Sequence, residues 1–179
     1  TTNNTTVSTG SFTIGSGAKR IAVAFVSWVS VGAARTVTSV KQGATNFTRL
    51  GGTTWTTQAV PAGMDIWTLN DPASGLGTID VVMDAATAVK HIEVQCYSGR
   101  NTSTALGAIA TNTATSGTAT VVPASAVNDL AVGAVLAFSG ASQRGDQGYA
   151  FFAHGSLIFK QLFLDFVPYL LGGYRSLRL

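Results

Sequence analysis

Short runs of β-prone residues recur along this chain at intervals of about ten residues, with Gly, Asn-Asp, Asp-Pro or Pro-Ala between them. Regular spacing of this kind is typical of an antiparallel sandwich or barrel. We therefore expect an all-β fold, an antiparallel two-sheet β-sandwich of jelly-roll or immunoglobulin-like form with about ten strands. The runs are residues 10–14, 20–31, 36–42, 64–69, 78–84, 90–97, 118–122 and 130–138.

The run at residues 78–84 alternates between two kinds of side chain. Ile79, Val81 and Met83 fall on one face of a strand, and the two aspartates of the run fall on the other. Successive side chains of a strand point to opposite faces. We therefore expect Ile79, Val81 and Met83 to be buried.

Two other runs depart from simple alternation. Residues 20–31 are dense in Val, Ala, Phe and Trp, which is too apolar for a strand with one wet face, so we place them in the middle of a sheet. In residues 36–42 the apolar positions shift from one face to the other, a pattern that a β-bulge explains.

Cys96 is the only cysteine, so no internal disulfide forms. Along the strand at residues 90–97 it shares a face with Ile92 and Val94, opposite the face of His91 and Glu93. We expect Cys96 to be a small buried hydrophobic side chain rather than a nucleophile.

The length of 179 residues predicts a single sandwich domain over residues 1–179. Residues 1–9 are polar and rich in Thr and Asn, and we read them as a loose arm or an edge strand. The C-terminal part, residues 149–179, holds eight of the 16 aromatic side chains. So many aromatic residues must be buried in the fold or against another subunit.

Residues 155–166 fit two local structures. Phe159, Leu162, Phe163 and Phe166 form the i, i+3, i+4, i+7 stripe of a helix, for which Ser156 is a possible N-cap. Strands fit as well if the run contains a bulge. We favour strands because Phe and Ile are β-prone, and the helix stays open as the alternative.

Charged residues make up only 11% of the chain, and the net charge of +3 is spread along it. Nucleic-acid binders usually carry a dense basic stripe, so we expect no nucleic-acid partner. The longest apolar run, residues 21–34, is shorter than the roughly 20 residues of a membrane helix, so we expect no membrane insertion.

Nucleophilic catalysis needs a Ser or Cys beside a base, and His91 and His154 are the only histidines. No G-x-S-x-G elbow and no phosphate-binding glycine loop is present in the sequence. We therefore expect no enzyme, no cofactor and no metal.

Paired carboxylates are the remaining route to catalysis. Asp80 and Asp84 would lie about 13 Å apart along one strand, too far to cooperate directly. A glycan hydrolase would need Asp65, Asp71 or Glu93 to share a cleft with another carboxylate.

Aromatic side chains are the candidate partner-binding residues. Trp55 lies inside the polar stretch of residues 51–58, where it either stacks on a sugar or a partner or folds back onto the core. The other candidates come from the aromatic-rich end: Phe159, Phe163, Phe166, Tyr169 and Tyr174.

A set of packing and turn residues between residues 21 and 137, with a closing strand near the C-terminus, forms one further pattern: Thr38-Ser39-Val40, Gly43, Phe47 to Gly51, Ile66-Trp67-Thr68-Leu69, Pro72, Gly75, Gly77-Thr78-Ile79, Val81, Tyr97-Ser98-Gly99, Leu106-Gly107, Asp129-Leu130-Ala131-Val132 and Gly173-Tyr174-Arg175-Ser176-Leu177. This pattern resembles a β-sandwich module that recurs in structural proteins of tailed phages and in secreted or surface proteins of bacteria. The resemblance implies a role on a virion or a cell surface and supplies no catalytic positions. Residues 149–169 are more aromatic than the module's pattern.

Two functions follow as hypotheses. The first is a non-catalytic assembly protein of a virion, such as a capsid decoration, a head fibre or a tail component. Its partners would be other copies of itself and a capsid or tail protein. The second is an extracellular carbohydrate-binding or adhesin module that holds surface glycans. Both place the chain on a virion surface or outside the cell.

Overall fold

The computed structural model describes residues 4–56, 60–87, 89–103, 105–112, 132–137 and 149–154. Within these ranges the chain forms twelve β-strands and no helix, so the expected all-β class is confirmed and no described helix could span a membrane. The runs at residues 118–122 and 155–166 lie outside the described residues. The strands are β1 (Thr6–Ser8), β2 (Phe12–Ile14), β3 (Ile21–Val29), β4 (Val37–Gln42), β5 (Thr45–Asn46), β6 (Thr48–Trp55), β7 (Ala62–Asn70), β8 (Gly75–Gly77), β9 (Asp80–Met83), β10 (Val89–Tyr97), β11 (Val132–Ala137) and β12 (Tyr149–His154).

Most of these strands belong to two antiparallel sheets of four strands each. Sheet I has the order β1-β9-β4-β5, and sheet II has the order β10-β3-β7-β6. Two further pairs, β2 with β8 and β11 with β12, form two-stranded ribbons. The β2–β8 ribbon continues the β1–β9 pairing, because the Thr9 amide donates to the Ile79 carbonyl between them at 2.9 Å.

Sheets I and II face each other across one apolar core. Side chains of both sheets belong to the same buried cluster, which makes the chain a two-sheet antiparallel β-sandwich as expected. We call the faces turned towards this core the inner faces. Sheet II contributes Ala22, Ala24, Val26, Trp28, Trp67 and Leu69, and sheet I contributes Val37, Val40, Val81 and Met83.

Strand β3 is buried on both of its faces, as its apolar sequence predicts. On the outer face of sheet II, Ile21, Val23 and Phe25 form a second buried cluster. Val132 and Ala134 of β11 pack against that cluster. The β11–β12 ribbon is therefore a third layer, and it explains why the outer face of this central strand is dry.

Two sequence predictions for sheet I are confirmed, the burial of alternate residues in the run at residues 78–84 and the bulge in residues 36–42. Ile79 and Val81 are fully buried and Met83 is nearly so. The register of β4 on β9 shifts between Val37 and Ser39, which confirms the predicted irregularity.

The N-terminal segment is an edge strand over Thr6–Ser8, which confirms one of the two alternatives for it. The ammonium of Lys90, on the other sheet's β10, donates to the backbone carbonyl of Asn4 just before β1. Strands β10 and β1 therefore lie at the same side of the sandwich. The opposite edge strands, β6 and β5, lie at the other side.

Cys96 is exposed, so the prediction of a buried thiol is wrong. The side chain does belong to the inner face, because its Cα partner is the core residue Ala22. However, β10 is an edge strand, and sheet I offers only the three-residue β1 at that side. Partial desolvation still raises the pKa of the Cys96 thiol above its ordinary value.

Candidate binding surface

Two loops meet at one end of the sandwich. Strand β3 ends there at Val29, and β7 begins there at Ala62, its Cα partner. The amide of Ser30 donates to the carbonyl of Pro61 at 2.9 Å. This hydrogen bond fixes the β3–β4 loop against the β6–β7 loop.

Both loops carry exposed aliphatic side chains. Val31 is 77% exposed and Val60 is 42% exposed. Gly32 follows Val31 with a φ of 97°, a left-handed conformation that favours glycine and turns the loop. Ala33 and Ala34 are also exposed. The four consecutive positions from Val31 to Ala34, between the buried Ser30 and Arg35, therefore present no polar side chain at this end.

Trp55 lies at the same end of the molecule. It is the last residue of β6 and the Cα partner of Ala62, which in turn pairs with Val29. Residues paired in this way share one face of a sheet, so these three side chains form a row on the outer face. Trp55 is half-buried. Its exposure is therefore intermediate between the two alternatives from sequence, an exposed aromatic side chain and one folded back onto the core.

We call Val31, Ala33, Ala34, Trp55 and Val60 the apolar end. No charged residue occurs in residues 21–34 or 50–64, so the sequence around the apolar end is uncharged as well. Grouped exposed apolar side chains mark interaction sites more often than single ones do. The other predicted partner-binding residues lie outside the described residues: Phe159, Phe163, Phe166, Tyr169 and Tyr174.

The opposite end of the sandwich is polar and internally hydrogen-bonded. Arg20 donates from its Nε to the Pro72 carbonyl at 3.1 Å and from Nη1 to the Gly17 carbonyl at 2.7 Å. The Asp71 carboxylate accepts the backbone amide of Arg20 at 3.0 Å. The guanidinium of Arg20 therefore holds two loops of its own chain together.

A third loop joins this network. The amides of Gly99 and Arg100 donate to the carbonyls of Ala18 and Lys19, at 3.0 and 3.1 Å. Nη1 of Arg100 donates to the side-chain oxygen of Asn70 at 2.5 Å. The guanidinium groups of Arg20 and Arg100 are thus engaged in loop architecture.

One carboxylate lies buried between the sheets. Asp65 is 7% exposed, and its Oδ1 lies 2.6 Å from Nη2 and 2.8 Å from Nε of Arg49. Burial raises the pKa of Asp65, and the hydrogen bond and charge of Arg49 oppose that rise without cancelling it. Gly52 leaves room for this carboxylate, since a Cβ there would lie 2.3 Å from Asp65 Oδ1.

The acids considered for catalysis lie in three different places. Asp65 is on the inner face of sheet II, and Asp71 is in the loop after β7 at the polar end. Glu93 is the Cα partner of Phe25, which belongs to the outer-face cluster. His91 is exposed, as its position on β10 predicts. Among the described side chains, no three of His, Cys, Asp and Glu come together as a metal site would require.

Val31 and Val60 were not among the residues predicted from sequence. Val31 ends the apolar run of residues 20–31, which its apolar sequence places in the middle of a sheet, so its exposure shows that this prediction is wrong for the last residue of the run. Val60 lies outside the predicted runs. The available signals were Gly32 and Pro61, which mark the turns beside them.

Comparison with known proteins adds no relative to this picture. No protein-family model, no curated protein and no solved structure matches the chain. The resemblance to the sandwich module of virions and bacterial surfaces therefore stays a prediction, carried by the packing and turn residues named for it.

Proposed function

We propose that this chain is a non-catalytic structural module of a virion, such as a capsid decoration, a head fibre or a tail component, and that it acts through subunit contacts. The observation that carries the proposal is the apolar end. Val31 and Val60 expose aliphatic side chains to water, and a backbone hydrogen bond joins the two loops that carry them. A partner subunit that covers this surface removes it from water.

The energetic gain from such a contact is substantial for so small a surface. Burying an exposed valine side chain completely contributes about 1.5–3 kcal/mol. The Ser30–Pro61 hydrogen bond fixes the backbone beside Val31 and Val60 before a partner arrives. Residues that are already fixed lose little conformational entropy on binding, so more of that gain appears as affinity.

A virion surface or an extracellular location suits the rest of the chain. The sandwich is charge-poor and presents Thr, Ser, Asn and Gly to solvent, and its packing and turn residues resemble those of phage structural modules. The partners in this proposal are further copies of the chain and a capsid or tail protein.

Antibodies against the purified chain provide the direct test of the virion assignment. We expect them to label intact particles from the source in electron micrographs, and we expect gels of gradient-purified particles to contain the chain in a fixed ratio to the major particle protein. Pre-immune serum is the control. Particles that lack the chain after purification would contradict the proposal.

A carbohydrate-binding or adhesin module is the second candidate, and the position of Trp55 favours it. The indole is half-buried at the end of an edge strand, and Thr53, two residues before it, offers a hydroxyl group on the same face of that strand. A glycan array with the parent chain and a Trp55→Ala variant tests this candidate. Binding that Trp55→Ala abolishes supports it, and the absence of binding by the parent dismisses it.

A further inference from the structure

We propose that a second copy of this chain docks on the apolar end, end to end, so that Arg35 of each copy pairs with Asp84 of the other. This inference rests on the proposed function, because it names the partner that covers the apolar end. The contact is self-complementary, so two-fold symmetry closes it into a dimer.

A third loop, between β9 and β10, reaches this end of the sandwich. Strand β9 ends at Met83, which pairs with Val37 at the start of β4. The amide of Asp84 donates to the Thr36 carbonyl at 2.9 Å, and the Thr36 amide donates to Asp84 Oδ1 at 3.1 Å. These two hydrogen bonds fix the β9–β10 loop against the β3–β4 loop, which carries most of the apolar end.

The guanidinium of Arg35 borders the apolar end without a partner. Its Nε is buried and has no hydrogen-bond partner. No described carboxylate lies within ion-pair distance of Arg35, in contrast to Arg49, which is paired with Asp65. A buried donor that makes no hydrogen bond costs free energy, and more so when it is charged. The side chain is half-buried and so remains partly accessible, and it favours a partner that supplies a carboxylate.

Asp84 presents such a carboxylate on the same surface. It is exposed, and its Oδ1 is held by the amide of Thr36, the residue after Arg35. Arg35 and Asp84 do not pair within one chain, although the two loops that carry them are hydrogen-bonded. The end therefore presents a cation and an anion at separate points. A second copy related by a two-fold axis places the opposite charge against each of them.

The side chains around these two charges are small and apolar. Ala33 and Ala34 are exposed, and Ala85 and Ala86, directly after Asp84, are half-buried. The core of an interface between identical subunits is apolar and depleted of charged residues, with polar groups towards its rim. The apolar end with Arg35 and Asp84 beside it has this composition.

Lys90 is a further cation near this end, at the start of β10. Its ammonium donates to the backbone carbonyls of Asn4 and Thr87. Because Lys90 is engaged within its own chain, the carboxylate of a second copy is drawn to Arg35.

Two-fold symmetry fixes how the copies are related. The axis lies in the plane of the contact and passes midway between Arg35 and Asp84, so each guanidinium meets the carboxylate of the other copy. The dimer then contains the same ion pair twice, and the exposed side chains of Val31 and Val60 are covered by the end of the second copy.

Charge reversal tests this pairing. We expect the full chain to sediment as a dimer of twice its 18.4 kDa mass. Arg35→Glu and Asp84→Lys should each raise the dissociation constant of the dimer by at least about tenfold, because each brings like charges together at both contacts. An equimolar mixture of the two variants should regain the affinity of the parent, since the mixed dimer has opposite charges at both contacts.

Lys19→Glu is the matched control. Lys19 is exposed at the opposite end of the sandwich, and its reversal changes the net charge as much as Arg35→Glu does. This variant should dimerise as the parent does.

The outcomes separate this inference from the proposed function. Circular dichroism first confirms that each variant is folded. A parent chain that sediments as a monomer, a charge reversal at Arg35 or Asp84 that leaves the dimer as stable as before, or a mixture that fails to regain the affinity would each overturn the pairing. Labelling of intact particles by antibodies would leave the proposed function standing in all three cases.

Discussion

The carboxylate of Asp65 accepts two hydrogen bonds from the Arg49 guanidinium, although Asp65 points into the space between the two sheets. Arg49 is half-exposed, so the pair joins a buried anion to a cation at the surface. Burial of the carboxylate has the larger effect on its pKa, which is raised. The pair therefore predicts a dependence of stability on pH whose sign is opposite to that of an ordinary salt-bridged aspartate.

We expect the stabilising effect of the Asp65 proton to be lost as the pH rises. With a folded pKa above the ordinary 3.8, the folded chain binds this proton more tightly than the unfolded chain does. The contribution is complete below the unfolded pKa and disappears as the pH passes the folded pKa. Unfolding by denaturant at a series of pH values checks this: the stability of the parent relative to Asp65→Asn should fall as the pH rises.

Arg49→Gln is the companion variant for that series. It removes the group that lowers the pKa of Asp65, so the fall in relative stability should extend to higher pH. A parent chain that gains stability relative to Asp65→Asn as the pH rises would show that Arg49 outweighs burial, contrary to this account.

A methyl group at Gly63 should disturb the core. Gly63 is the Cα partner of Trp28, and a Cβ at that position would lie 2.5 Å from Trp28 Cζ2. Trp28 is 1% exposed, so its ring has little room to move. We expect Gly63→Ala to lower the free energy of unfolding by about 1–3 kcal/mol, the usual cost of overpacking. Gly15→Ala, where a Cβ meets nothing within 4 Å, should change it by less than about 0.5 kcal/mol; equal effects would contradict the packing.

The thiol of Cys96 should react in the folded protein. Because Cys96 is exposed and is the only cysteine, a maleimide or disulfide reagent should modify one group per chain without denaturant. The thiolate is the reactive form, and the pKa is raised above 9.0, so the rate should keep increasing above that pH. Modification that occurs only in denaturant would contradict this expectation and would show that the thiol is buried, as the alternation of β10 predicts.

Alternation and apolar density predicted the parts of the fold that meet the core on defined faces. The burial of Ile79, Val81 and Met83 and the central place of β3 are examples. Sequence could not predict which strand covers the outer face of β3. The apolar pattern of a strand indicates that a face is buried, but it does not identify the element that buries it. The contribution of Val132 and Ala134 to that cover appears only in the structure.

Strand β6 and the exposure of Cys96 were missed for a related reason. Residues 51–58 read as a polar loop, since an edge strand needs few apolar side chains and Gly51 and Gly52 weaken the β signal. Cys96 lies on the inner face, as the alternation predicts, but its strand is at the edge of the sheet. Periodicity does not indicate where in a sheet a strand lies. Trp55 was found from sequence because it is a lone aromatic residue among polar ones, whereas Val31 and Val60 resemble core residues.

The proposed function depends on the apolar end. A Val31→Ser/Val60→Ser chain tests it, with Leu76→Ser as the matched control, because Leu76 is as exposed as Val31 but lies on β8. All three chains should unfold at similar denaturant concentrations, since exposed positions contribute little to the core.

Sedimentation velocity over a concentration series is the most direct measurement of that contact. We expect species larger than the 18.4 kDa monomer for the parent chain and for Leu76→Ser, and their loss in Val31→Ser/Val60→Ser. The same distribution of masses for all three chains would contradict assembly through Val31 and Val60.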